Sequence, residues 1–242
     1  MTLIFDLDET LVSTTTDSAR LSAFTDYHAA FTLEGKDFNI SFRPQMAECL
    51  RKLHKHFELV LFTAGFRLYA EAVARILQQA VFEAPRPRLF DHVLHRDHCT
   101  LAQFRKKSQI YYYKDLRLLA EGRSFSEMVI VDNRAFSYGA LHLTNGIPIK
   151  DYTGDKNDME LPILTQYLLA NFVPQGEPGS KTMAKLFQGT SVQTSTRGFD
   201  VRAIIRRDFQ LEKYLQRQSR YKQKQLLKEI HHARNVSKIL QM

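Results

Sequence analysis

Asp6 and Asp8 close the apolar run of "MTLIFDLDETLV" with a single leucine between them. Like charges this close repel, so such a pair is tolerable where a cation meets it and where the two groups have unequal surroundings. That arrangement suits phosphoryl chemistry around a divalent cation. An ionised carboxylate attacks phosphorus and forms an acyl-phosphate. Its neighbour gives a proton to the leaving alcohol and later takes one from the attacking water. Asp6 is read as nucleophile and metal ligand, and Asp8 as acid and base. Mg²⁺, which prefers oxygen ligands and keeps several waters, is the expected ion. Asp132 and Asn133 offer further oxygens, and which of them touches the metal stays open. Thr63 offers a hydroxyl to a phosphate oxygen, with the backbone N–H of Ala64 beside it. Lys114 adds fixed positive charge, and Thr10 ties down the loop after Asp6.

These residues stand at the ends of apolar runs. "TLIFDL", "ELVLFT" and "EMVIVDN" read as buried strands, and "GIPI" as a short one. Between them, Met46, Leu50, Leu53 and Phe57 share one helical face, as do Phe66, Tyr69, Val73, Ile76 and Leu77. The second stripe reads as core packing. Arg43-Pro44 marks a helix start. Alternation at Phe38, Ile40 and Phe42 after the turn Glu34-Gly35-Lys36 reads as a β-hairpin. "DMELPILTQYLLANF" reads as a helix capped by Asp158, and "DVRAIIRRDF" as one capped by Asp200. Strands alternating with helices predict an α/β fold: a Rossmann-like, mainly parallel sheet flanked by helices. In such sheets ligands bind beyond the carboxyl ends of the strands, where Asp6, Asp8, Thr63, Asp132 and Asn133 stand.

The expected organisation is a core over 1–172 with a small insert at about 80–113. A polar linker follows at 173–198, then a last core helix at 199–209 and a basic helical extension at 210–242. Charge divides along that line. From Ser180 onward 14 Lys and Arg face 4 Asp and Glu, so of the totals of 34 and 26 the earlier part holds 20 and 22. A basic tail suits an anionic partner, whether nucleic acid, acidic protein or membrane surface, and it equally suits a solvated helix. Two distant cysteines, Cys49 and Cys99, predict no disulfide framework and a reducing, intracellular compartment, nuclear or cytoplasmic. The first strand begins almost at Met1, which predicts no signal peptide, and no apolar run reaches membrane-spanning length. His92, His95, His98 and Cys99 cluster as zinc ligands do. The segment reads as a strand, however, in which His98 and Cys99 face opposite sides, and no second ligand cluster accompanies it.

"FDLDETLV", "ELVLFTAG", "YYYKDL" and "VIVDN" resemble the four motifs of the haloacid-dehalogenase superfamily. More narrowly they resemble the phosphatases related to those acting on the carboxy-terminal domain of RNA polymerase II, the small CTD phosphatase and Dullard-like group. "SFRPQMAECL", "HRDHCTL", "GIPIKDY" and "DVRAII" extend the resemblance over about 2–172 and 199–209. It implies a Mg²⁺-dependent protein serine/threonine phosphatase working through an aspartyl-phosphate. Asp6 would be nucleophile and ligand, and Asp8 acid/base with a metal-binding backbone carbonyl. Thr63 and Lys114 would hold the phosphate, Asp132 and Asn133 would stand at the metal, and Arg96 would lie near the substrate. The hairpin at about 27–42 resembles a flap that shapes a peptide pocket. Where the family has Ser-Pro after the fourth motif, this chain has Arg134-Ala135. Rival readings are a protein-binding family member without turnover and a small-molecule phosphatase.

Overall fold

The computed structural model of the 242-residue chain describes residues 1–17, 28–83, 87–103, 110–173 and 200–210. The linker read at 173–198 and the extension read at 210–242 lie, beyond their first residues, outside the described residues.

Five short strands form the main sheet: β1 (Thr2–Phe5), β5 (Glu58–Phe62), β6 (His92–Leu94), β9 (Met128–Asp132) and β10 (Gly146–Pro148). Their order is β10-β9-β1-β5-β6, and every pairing is parallel. Alternate side chains of a strand point to opposite faces, and the core divides accordingly. Leu3, Phe5, Leu59, Leu61, Val129 and Val131 face one side. There they meet α1 (Met46–Leu53), α2 (Arg67–Phe82), α4 (Glu160–Phe172) and Val201 and Ile205 of α5 (Val201–Phe209). Ile4, Val60, Phe62, Met128 and Ile130 face the other side, against Leu116, Leu119 and Tyr138 of α3 (Phe136–His142). Both faces are covered, which is why these strands read as continuous apolar runs rather than as alternation.

The hairpin is part of a separate three-stranded antiparallel sheet in the order β2 (Val12–Thr15), β4 (Lys36–Phe42), β3 (His28–Leu33). Its turn has Glu34 and Gly35 both at positive φ, 50° and 73°, the geometry that suits right-twisted strands. A two-stranded ribbon, β7 (Thr100–Gln103) with β8 (Ile110–Tyr113), completes the architecture.

Several expectations need local correction. The stretch 80–113 includes β6, which pairs with β5 and so belongs to the main sheet rather than to an insert. The strand read over the histidines stops at Leu94. Residues Arg96–His98 form a 3₁₀ helix through bonds from the His98 N–H to the His95 carbonyl and from the Cys99 N–H to the Arg96 carbonyl, and the His98 ring caps it, Nδ1 accepting from the His95 N–H at 3.1 Å. Pro44 does not begin α1. Gln45 is left-handed at φ 59° and separates the two. Asp158 does accept from the Glu160 N–H at 3.0 Å, one residue ahead of the position where α4 is capped, and Asp200 accepts from the Arg202 N–H at 2.9 Å.

Candidate active site

Parallel register brings the site together. Phe5 pairs with Leu61 on one side and Val131 on the other, so the next residues outward include Asp6 and Asp132 on adjacent strands. The Asp6 N–H donates to the Val131 carbonyl at 2.9 Å. β1 is central, with crossovers leading to both flanks, which makes its carboxyl end the switch point of the sheet. After it the chain turns sharply. Leu11 and Val12 N–H groups both return to the Leu7 carbonyl, and Glu9 takes φ 60°. Thr10 fixes that turn to the site: its hydroxyl lies 3.1 Å from Asp6 Oδ2 and accepts from the Asn133 N–H at 3.3 Å.

Lys114 arrives from the end of β8. Its Nζ bonds both Asp6 Oδ1 and Asp132 Oδ2, the latter at 2.6 Å. Burial works against its charge, but Asp132 and Asp6 together outweigh it and hold the amine above its usual range. Asp132 is buried and accepts from the Arg134 N–H at 2.7 Å. Burial pushes its carboxyl up, against the opposing charge of Lys114.

Asp8 has a different set of partners. Tyr69 donates its hydroxyl to Asp8 Oδ1, and Thr63 Oγ1 stands 3.4 Å from Asp8 Oδ2. Thr63 also accepts from the Gly65 N–H at 2.9 Å. Burial pushes the Asp8 carboxyl up to about 6. The Tyr69 bond opposes that rise and the Asp6 charge adds to it. A carboxyl near 6 suits proton exchange close to neutral pH.

Arg96 braces the loop after β5. Its Nε donates to the Ala64 carbonyl at 2.8 Å, its N–H to the Gly65 carbonyl at 2.8 Å. The guanidinium lies over both the Phe66 and Tyr112 rings, at 5.6 and 4.9 Å from their centroids. Beside this loop a groove of about 580 Å³ is lined by Thr16, Lys36, Asp37, Phe38 and Phe66.

The site residues named from sequence thus meet at one rim: Asp6, Asp8, Thr10, Thr63, Lys114, Asp132 and Asn133, with Ala64 and Arg96 forming its wall. Three carboxylates, Asp6, Asp8 and Asp132, stand against the ammonium of Lys114. When all are ionised two negative charges are left over. That imbalance and the donor chemistry, all hard oxygen, fit a divalent cation. Among the described residues no three His, Cys, Asp or Glu side chains converge as a metal cage. Mg²⁺ does not require one, since one or two carboxylates with waters and phosphate suffice. Both Asp132 oxygens are already engaged, by Lys114 and the Arg134 N–H. Asn133 has its amide nitrogen tied to Glu9 and Asp151 at 3.1 and 3.0 Å, and its Oδ1 accepts from the Thr10 hydroxyl at 3.4 Å.

The family model for NLI interacting factor-like phosphatases matches residues 1–173. The chain belongs to that family. CTD small phosphatase-like protein 3 of Caenorhabditis elegans is 32% identical over 217 residues, 88% of this chain and 61% of that protein. The human CTD small phosphatase-like protein is 35% identical over 162 residues, 66% of this chain and 51% of that protein. The chain therefore spans less than two thirds of either relative. Among solved structures, the fission yeast RNA polymerase II CTD phosphatase Fcp1 aligns with a TM-score of 0.49 at 25% identity, over 70% of this chain and 50% of that one.

Two residues of this NLI interacting factor-like phosphatase domain have roles that sequence reasoning did not assign. Arg43, read only as part of a helix start, is fully buried. It grips Asp158 through Nε and Nη2 at 2.8 and 2.7 Å and donates to the carbonyls of Thr10 and Lys150 at 3.0 and 2.8 Å. It thereby locks the turn after Asp6 to the segment after β10. A buried arginine of this kind has no local sequence signal, because its partners are remote in the chain. Tyr69, read as one member of an apolar stripe, does pack as expected but also reaches Asp8. Arg134, at the family's Ser position, pairs with Glu9 at 2.9 Å and so turns along the rim rather than into the site.

Proposed function

We propose that the chain is a Mg²⁺-dependent phosphatase that removes phosphate from phosphoserine or phosphothreonine in proteins through an aspartyl-phosphate on Asp6. The observation that carries this reading is the separation of partners: Asp6 is held by Lys114 and Thr10, whereas Asp8 is held by Tyr69 and Thr63. Lys114 and Thr10 thereby orient Asp6 toward phosphorus, and Asp8 is left as a group that exchanges a proton.

Asp6 attacks phosphorus in line with the leaving oxygen while Thr63 and Lys114 hold the phosphate oxygens. Asp8 protonates the departing alcohol. Water then enters on the same face, Asp8 takes its proton, and phosphate leaves Asp6. Asp6, the Asp8 carbonyl and Asn133 Oδ1 would hold Mg²⁺, which supplies charge neutralisation for the approach of two anions. Macromolecular substrates are supported by the groove beside Phe38 and Phe66, open to an extended segment, and by the small CTD phosphatase-like character of the relatives.

The test is phosphate release from p-nitrophenyl phosphate and from a phosphoserine peptide panel, with wild type and Asp6→Asn. Turnover that needs Mg²⁺ and disappears in Asp6→Asn supports the reading. Peptide binding by wild type without phosphate release would favour a protein-binding role instead.

A further inference from the structure

Tyr69 lies on α2 and is 6% exposed, yet its hydroxyl is not idle. It donates to Asp8 Oδ1, and it lies 2.7 Å from Thr14 Oγ1 on β2. A phenol has one proton to give. With that proton directed at Asp8, the Thr14 hydroxyl must be the donor to Tyr69. The result is a one-way chain, Thr14 to Tyr69 to Asp8, in which each link polarises the next.

We infer that Tyr69 is a positioning residue for proton transfer, whose hydroxyl decides which oxygen of Asp8 carries the proton. The inference rests on the acid/base role proposed for Asp8. An oxygen that accepts a hydrogen bond is disfavoured as the protonated one. Oδ1 takes the close Tyr69 bond, whereas Oδ2 takes only a long one, from Thr63 Oγ1 at 3.4 Å; the more weakly bonded Oδ2, on the Thr63 side, is therefore the oxygen left to carry the proton. Thr63 is where the phosphate is held, so the acidic hydrogen faces the leaving group. As Asp6 bonds to phosphorus and the bond from phosphorus to the substrate oxygen breaks, the Oδ2 proton passes to that oxygen. Oδ1 keeps its Tyr69 bond, so the new carboxylate does not rotate. In the second half-reaction water bonds to phosphorus, the bond to Asp6 breaks, and the water's proton returns to Oδ2.

The surroundings hold Tyr69 to this task. Its ring packs between Phe31 and Phe38 of the three-stranded sheet, at centroid distances of 6.2 and 5.7 Å, and Phe66 at 6.0 Å. A Cβ on Gly65 would lie 3.0 Å from the Tyr69 ring and 3.2 Å from Thr63 Oγ1, so glycine there lets both approach Asp8. A phenylalanine at 69 would fill the same space. Packing alone therefore does not account for the hydroxyl.

The experiment compares wild type, Tyr69→Phe, Thr14→Val and Asp8→Asn, full chain with Mg²⁺, on a phosphoserine peptide and on p-nitrophenyl phosphate. A poor leaving group needs the proton and a good one needs it little. Tyr69→Phe is expected to lower kcat on phosphoserine about tenfold or more and on p-nitrophenyl phosphate about twofold, with KM nearly constant. Thr14→Val moves the same way to a smaller extent. Equal losses on both substrates, or none, overturn the inference. If Tyr69→Phe does not fold, Thr14→Val decides by the same criterion. If Asp8→Asn falls equally on both substrates, the acid role fails and takes the inference with it. If Asp8→Asn is selective and Tyr69→Phe is not, the inference about Tyr69 alone fails.

Discussion

Lys114 Nζ lies 2.6 Å from Asp132 Oδ2, buried between that carboxylate and Asp6. Neither aspartate has another cationic side chain within salt-bridge distance among the described residues. One ammonium therefore sets the charge of the whole floor of the site. Replacing it with a neutral chain of similar length leaves two buried carboxylates facing each other. Lys114→Met is expected to lower phosphate release by about 10²–10³-fold, the scale of losing a preorganised electrostatic donor. Steady-state rates on p-nitrophenyl phosphate at saturating Mg²⁺ check this. A loss below tenfold would show that the metal alone carries the charge.

Arg43 is the corresponding structural cation. Removing it strands the Asp158 carboxylate, whose side chain is 7% exposed, and frees the Thr10 carbonyl. Arg43→Met is expected to cost about 3–5 kcal/mol, because breaking a buried pair from one side leaves an uncompensated charge. Urea unfolding at neutral pH measures it. The double variant with Asp158→Leu should recover part of the loss.

Gly146 opens β10 against the Tyr138 ring. A Cβ there would fall 1.7 Å from a ring carbon, an impossible contact. Gly146→Ala is expected to destabilise the fold by about 1–3 kcal/mol as the ring or the strand gives way. Combining it with Tyr138→Leu should return some of that stability in thermal melts.

Glu58 gives the fold a pH signature away from the chemistry. Its carboxylate takes the Arg123 guanidinium, with Nε at 2.8 Å, and the Thr2 hydroxyl at 2.6 Å. The Arg123 bond holds Glu58 down at about 2, below the glutamate value of 4.5. A depressed carboxyl stabilises the fold above its unfolded pKa and loses that contribution as pH falls toward the folded one. Wild type should therefore melt above Glu58→Gln at pH 6, and the gap should shrink steadily from pH 4.5 downward. A gap that stays constant to pH 3 would contradict the assignment.

Cys99 stands behind Thr63, its Sγ 3.9 Å from the Thr63 carbonyl. Burial pushes the thiol up to about 11, so at neutral pH it is not a nucleophile. Cys99→Ala should retain phosphatase activity, and brief treatment with iodoacetamide at pH 7 should leave wild-type rates unchanged.

The parallel sheet was legible because its strands are buried on both faces and so carry unbroken apolar runs. Asp6, Thr63 and Asp132 were legible because each ends such a run. Lys114 was found through its place after "YYY" in a resembling motif, since nothing in its spacing betrays two remote carboxylates. What stayed hidden depends on the third dimension. Arg43 meets Asp158 across 115 positions, and Tyr69 has the same periodicity whether its hydroxyl is used or not. The histidine segment alternates like a strand, yet the backbone bonds from His98 and Cys99 back to His95 and Arg96 curl it into a 3₁₀ helix that its sequence pattern does not signal.

The three-stranded sheet supplies Phe38 and Lys36 to the groove, while Asp6, Asp8 and Asp132 stand at the ends of the five-stranded one. The two sheets have separate hydrogen-bond ladders over a shared core that includes Val12, Ile40, Leu3 and Phe5. Descendants of such a scaffold are free to diverge in what they grip while inheriting an unaltered way of cutting. Tyr69 touches both, through Thr14 on the smaller sheet and Asp8 at the end of the larger, so drift around it would be felt as a slower enzyme before it was felt as a different preference.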